Sequence, residues 1–187
     1  MDGLEIRQEG NTVHGGDVIG QQIINNHYPK ATRLASLFEK LKSKIETNTT
    51  VEHISDNLKR LSEDRDVVGL EQKLIDGQRE YLLSDAMWLK QEYAKKLTKY
   101  TFFEPAQEIH AYLLSAVLEK FRNIIYPMII NNRTHEEISQ VISNHIINPI
   151  ITIIQEEGCE DVMGLCAIDI EGMIYYLTGK CHIKWKL

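Results

Sequence analysis

EPAQEIHAYLLSAVLEKFRNIIYP, residues 104–127, is the stretch whose reading decides the fold class. Ile109, Leu113, Val117, Phe121 and Ile124 recur every three or four positions, the spacing that lines up one face of a helix. Glu104-Pro105 opens it with proline in the favoured first turn, and Pro127 reads as its end. At ~1.5 Å per residue the helix over 104–125 is roughly 33 Å long, enough to cross a domain.

Helical spacing continues upstream. Tyr81, Leu82, Trp88, Leu89, Tyr93, Leu97 and Tyr100 predict a helix over 78–100, and Leu34, Leu37, Phe38, Leu41 and Ile45 predict one over 31–46. Thr49 with Glu52 fits a capping box and predicts a helix running through Ile54, Leu58 and Leu61. Ser62 to Asp66 reads as a charged linker, followed by a short helix from Val67 to Ile75 that Gly77 ends.

Downstream, Thr134 with Glu137 is a second capping box, for a helix through Ile138, Val141, Ile142 and Ile146. Asn148-Pro149 kinks or restarts it, and Gly158 stops it. Residues 163–170 are compatible with helix, and Met173 to Leu177 with a helical turn or a strand. Cys181-His182-Ile183-Lys184-Trp185 alternates and predicts a strand; Thr178-Gly179-Lys180 would join a hairpin if both arms are strands.

The first 28 residues differ. Gly10, Gly15, Gly16 and Gly20 crowd among Asn and Gln, and Val13, Val18 and Ile23 recur every five positions, a period no helix has. Short strands and turns suit it, with Gly16 and Gly20 permitting turn angles and Asp17 closing an Asx-turn. Two readings stay open: a disordered tail, or strands that pair between chains. The fold expected is therefore mainly α: a bundle of about six to seven helices over 29–187, a Gly-rich, β-prone leader over 1–28 and a small C-terminal β strand or hairpin.

Composition narrows the function. The chain has 187 residues, 43% of them hydrophobic, which suits one globular domain. Twenty-one Lys and Arg against 27 Asp and Glu give a net charge of −6, so direct, sequence-blind nucleic-acid binding is not expected. No apolar run approaches the ~20 residues of a membrane span. Three cysteines without metal-site spacing suit a reduced, cytoplasmic protein.

No constellation supports an enzyme. Asp64, Asp66 and Glu71 sit in or beside a charged linker, and the glycine-rich leader lacks the Gly-Lys-Ser/Thr of a phosphate loop. Cys159, Cys166, Cys181 and His182 contain no Cys-x-x-Cys pair, and adjacent Cys181 and His182 would face opposite sides of a strand. They read as buried thiols and a partly exposed histidine, and His110 as a hydrogen-bonded core or interface histidine. Trp88, Tyr93, Tyr100, Phe102, Phe103, Tyr112 and Phe121 read as core or interface packing. No cofactor and no metal is expected.

Two segments carry a resemblance. Asp169-Ile170-Glu171-Gly172-Met173-Ile174-Tyr175-Tyr176-Leu177 and the run through Cys181, His182, Ile183 and Trp185 resemble the ending of proteins in bacterial ABC-three component systems. Gln107-Glu108-Ile109-His110-Ala111-Tyr112-Leu113-Leu114 is similar to their helical body, and Gly10 to Gly20 resembles the Gly-Asp-Val-x-Gly leader of several bacterial conflict proteins. The resemblance implies a Lamassu-related, three-part defence against phage and plasmids, joining an SMC-like ABC ATPase, a small middle component and an effector with a C-terminal coupling domain. Many effectors carry a large N-terminal toxic domain where this sequence has the short leader, so the resemblance implies the coupling half.

The reading is a cytoplasmic, non-enzymatic adaptor that docks on the ATPase complex. Its rivals are a self-assembling signalling scaffold built on the leader and an unrecognised enzyme. The residues expected to serve partner or self-association contacts are Val13, Gly16, Asp17, Val18, Gly20 and Ile23 in the leader, and Gly172, Met173, His182 and Trp185 near the C-terminus. A tryptophan so near a chain end calls for burial, in this domain or under a partner.

Overall fold

A computed structural model describes residues 32–156 and 162–187. Seven helices follow one another among the described residues, with two of them carrying an internal π turn. The helices are α1 (Arg33–Glu46), α2 (Asp56–Ser62), α3 (Leu70–Asp76) and α4 (Leu83–Tyr100). Helix α5 runs Glu104–Lys120, passes a π turn at Phe121–Ile125 and continues as Tyr126–Ile130. Helix α6 does the same through His135–Ile142, Ser143–Ile147 and Asn148–Glu156, and α7 is Ala167–Gly179.

Helix α7 is the axis of the domain. Ile170, Met173, Ile174, Tyr175, Tyr176 and Leu177 are all buried, so apolar residues surround it. It packs along α4, with α5, α3 and α6 on its other sides, while α1 and α2 lie on α5. Gly172 sets the α4 contact: a Cβ there would sit 2.6 Å from the Leu89 carbonyl oxygen and 2.8 Å from Tyr93 Cβ.

Three expectations are corrected. Pro127 does not end α5; at Pro149, where a kink or restart is expected, α6 passes a π turn and resumes as α-helix at Asn148. In each case the residue before proline reaches back five positions, Tyr126 N–H to the Phe121 carbonyl and Asn148 N–H to the Ser143 carbonyl. The extra residue in the turn accommodates a ring that has no N–H to give and would otherwise strike the preceding turn. Both sites share the pattern Ile-Ile-x-Pro, at Ile124 to Pro127 and Ile146 to Pro149.

The Thr49 capping box does not form. Helix α2 begins at Asp56, capped by Ser55. Tertiary bonds hold the preceding loop instead: Val51 N–H donates to the Phe102 carbonyl at 2.8 Å, and the buried Gln107 amide donates to the His53 carbonyl and accepts from Ser55 N–H.

The C-terminal strand and hairpin are also absent among the described residues: Met173 to Leu177 is helix, and residues after Gly179 form an irregular tail. Cys181, at φ 63°, turns the chain in the left-handed region. Its N–H donates to the Thr178 carbonyl and His182 N–H to the Leu177 carbonyl, the paired bonds of a Schellman helix end. The alternation is real, since Ile183 and Trp185 are buried and Lys184 is exposed, but helices cover it rather than a neighbouring strand. The leader residues Val13, Gly16, Asp17, Val18, Gly20 and Ile23 lie outside the described residues, as does Cys159.

Candidate functional site: the C-terminal tail and its cationic clefts

Trp185 anchors the tail. It is 4% exposed, edge-on to Phe121 at 5.0 Å and stacked near Tyr175 at 6.4 Å, and its Nε1–H donates to Thr178 Oγ1 at 3.2 Å. Gly77 lets the tail approach α3 this closely, because a Cβ there would lie 2.6 Å from Trp185 Cβ. Over the indole sits the Arg79 guanidinium, 4.7 Å from the ring centre.

Repeated helix-end geometry positions the charged residues here. Helix α3 closes through Gln78, at φ 57°, with Arg79 N–H on the Leu74 carbonyl. Helix α5 closes through Asn132, at φ 53°, with Arg133 N–H on the Met128 carbonyl. His182 occupies the equivalent place after α7. In each motif the residue that donates to the carbonyl five back is held beside the last turn, so Arg79, Arg133 and His182 are all aimed by the same hydrogen-bond pattern.

Arg79 is 2% exposed and belongs to no ion pair among the described residues. Burial lowers its pKa, opposed by the phenols of Tyr81 and Tyr175. A buried charge without a carboxylate costs several kcal/mol, of which the indole face returns about 0.5–2. Lys73, also buried, donates to the Thr178 carbonyl at 2.6 Å, placing an ammonium against the negative end of α7.

Three clefts flank the tail. The largest, about 720 Å³, runs from Arg79 and Trp185 past Ile129, Ile130 and Ile138 to the start of α6 at Thr134 and His135. His135 stacks on Tyr81 at 5.8 Å, and burial and then Arg79 lower its pKa. Arg65, Arg122 and Lys184 border a second cleft with His182, and Lys73 and Lys186 border a third. Together, among the described residues, these clefts gather seven of the chain's 21 Lys and Arg but only Asp66 and Asp76 of its 27 acids. An acidic chain thus carries a local cationic zone.

Of the sequence-predicted residues, Gly172 lies inside the α4–α7 contact and Met173 is fully buried in the core. His182 is buried, not partly exposed, and its Nε2 has no hydrogen-bond partner; burial, then Arg65 and Arg122, lower its pKa. Arg79, Lys73 and Arg133 were missed. Each is a cation near a helix end, Arg133 paired with Glu137, and no local pattern distinguishes such a residue from a solvated one. Tyr93, Tyr100 and Phe121 are core, as is His110, whose Nδ1 meets Tyr93 Oη at 3.2 Å; Trp88, Phe102 and Tyr112 are exposed. Among the described residues no group of three or more His, Cys, Asp or Glu is placed to hold a metal, and no helix is long and apolar enough to cross a membrane.

Residues 69–185 match the family model of C-terminal domain 9 of the ABC-three component (ABC-3C) systems. The chain belongs to this family. No curated protein and no solved structure matches it. The matched region runs from Gly69, the N-cap of α3, to Trp185, so the family's domain comprises α3 to α7 and the tail. Helices α1 and α2 are outside the match and add to the domain by covering α5. The resemblance read in 169–185 and 107–114 thus falls inside the family's domain, and the one read in the leader falls outside it.

Proposed function

We propose that this chain is the coupling component of a bacterial ABC-3C system that defends against phage or plasmids. In this reading it is a cytoplasmic, non-enzymatic adaptor that docks on the SMC-like ABC ATPase and the small middle component. The family match over 69–185 carries the reading. The cationic zone around the tail and exposed apolar residues on α4, Met87 and Trp88, support a role in protein contacts. The rival reading is a self-assembling scaffold, a homo-oligomer joined through residues 1–28.

The test is co-expression of the tagged chain with the neighbouring ATPase and middle-component genes, followed by affinity purification and sizing. The expected result is a complex containing the ATPase, with no nuclease or nucleotide hydrolysis from the isolated chain. Failure to co-purify either partner refutes docking. Light scattering of the chain without residues 1–28 tests the oligomer, and an unchanged size refutes the leader's part in it.

A further inference from the structure

We infer that the cleft between Trp185 and the start of α6 is a receptor for carboxylate side chains on an acidic peptide segment of a partner protein. Arg79 forms its base. A guanidinium is a fixed fork that binds an oxyanion through two parallel N–H bonds. This one lies over the Trp185 ring, 4.7 Å from its centre, on a residue 2% exposed, with no carboxylate paired to it among the described residues. Its orientation is already fixed, so a ligand need not order it.

The surroundings select the ligand. Lys186 adds positive charge at the rim and Arg133 adds less, because it is paired with Glu137 at 3.5 Å; α6 presents the N–H groups of its first turn, although Thr134 and Glu137 already cap one another there. Ile129, Ile130 and Ile138 supply apolar walls, which suit the stem of a glutamate and an apolar neighbour. Asp76 also lines the cleft and opposes a dianion more than a monoanion, favouring carboxylate over phosphate. A volume of about 720 Å³ accommodates several side chains. A nucleic-acid backbone is disfavoured, because Arg79 lies at the base of a cleft and the whole chain carries −6.

The isolated full chain suffices for the test, which therefore fails or succeeds independently of assembly with the ATPase. Trp88→Phe removes the chain's other, half-exposed tryptophan and leaves Trp185 as the emission probe beside the site. The ligands are a capped peptide of alternating Glu and Ile, its Gln-for-Glu counterpart, inorganic phosphate and an oligothymidylate. We expect a saturable change in Trp185 emission with the Glu peptide, weakening with salt, and no response to the Gln peptide. Arg133→Gln with Lys186→Gln, at the rim, should weaken binding by roughly an order of magnitude. Arg79→Gln, with its helical circular dichroism retained, should abolish it. Equal binding of the Gln peptide, indifference to the rim substitutions, or a response confined to phosphate or oligothymidylate overturns the inference.

Discussion

Replacing Gly172 by alanine sets two effects of opposite sign against each other. Alanine is the better helix former, by roughly 0.5–1 kcal/mol. On an isolated helix Gly172→Ala would therefore stabilise. Here the new methyl would lie 2.6 Å from the Leu89 carbonyl oxygen and 2.8 Å from Tyr93 Cβ. Neither atom is the end of a flexible chain, so α4 and α7 must separate along their shared contact. Overpacking of this kind costs about 1–3 kcal/mol, and two contacts this short place it near the upper limit. The net expectation is a loss of about 2 kcal/mol, or a fall in Tm of roughly 4–8 °C at this chain length.

Gly179→Ala is the control, because its Cβ would meet only the flexible end of Lys90, Nζ at 2.8 Å. That substitution should leave Tm nearly unchanged. Thermal unfolding followed at 222 nm measures both. A Gly172→Ala protein that melts at or above the wild-type temperature refutes the close α4–α7 packing.

Three further outcomes are expected. Trp185→Ala should lose about 3–5 kcal/mol in urea unfolding, because it empties a site shared by Phe121, Tyr175 and Arg79; Trp185→Phe should lose much less, and equal losses would contradict the packing. Lys96→Met should cost about 3 kcal/mol, since Lys96 Nζ meets buried Asp169 at 2.6 Å and the Gly164 carbonyl; Lys95→Met, which breaks an exposed pair with Glu92, should cost under about 1 kcal/mol, and similar costs would refute the distinction. Burial lowers the pKa of His110 from 6.5 to about 3, so the unfolded chain binds a proton that the folded chain refuses. Stability from this group is full above pH 6.5 and is lost as pH falls toward 3, by about 2 kcal/mol between pH 7 and pH 5. His182, shifted the same way, adds to the loss, and a His110→Asn protein with an undiminished pH slope would refute the assignment.

Half-buried helices were legible in the sequence because one face meets solvent and the other does not. Ile109, Leu113, Val117 and Phe121 are all buried as their spacing predicted, and the Thr134 capping box forms with both of its bonds. The chemistry of a cap involves residues three apart, so it is readable locally. The same locality misleads at Thr49, where Phe102 and Gln107, some fifty positions away, hold the loop.

Helix α7 could not be told from a strand over 173–177, since burial on every side erases the 3.6-residue period. The tail's alternation recorded burial without recording what buries it, and a left-handed turn at Cys181 sends it among helices. Pro127 reads as a helix end because proline removes a donor, and the π turn that accommodates it is a choice of backbone path that proline alone does not announce. The cationic zone has the same origin. Arg65, Arg79, Arg122, Arg133 and Lys184 are dispersed along the chain, and their charges become one field only when α3, α5 and the tail come together. The sequence therefore specifies the elements and their apolar faces, whose causes lie within a few residues. The burial of Arg79, the close approach at Gly172 and the path of the tail depend on distant groups meeting in space.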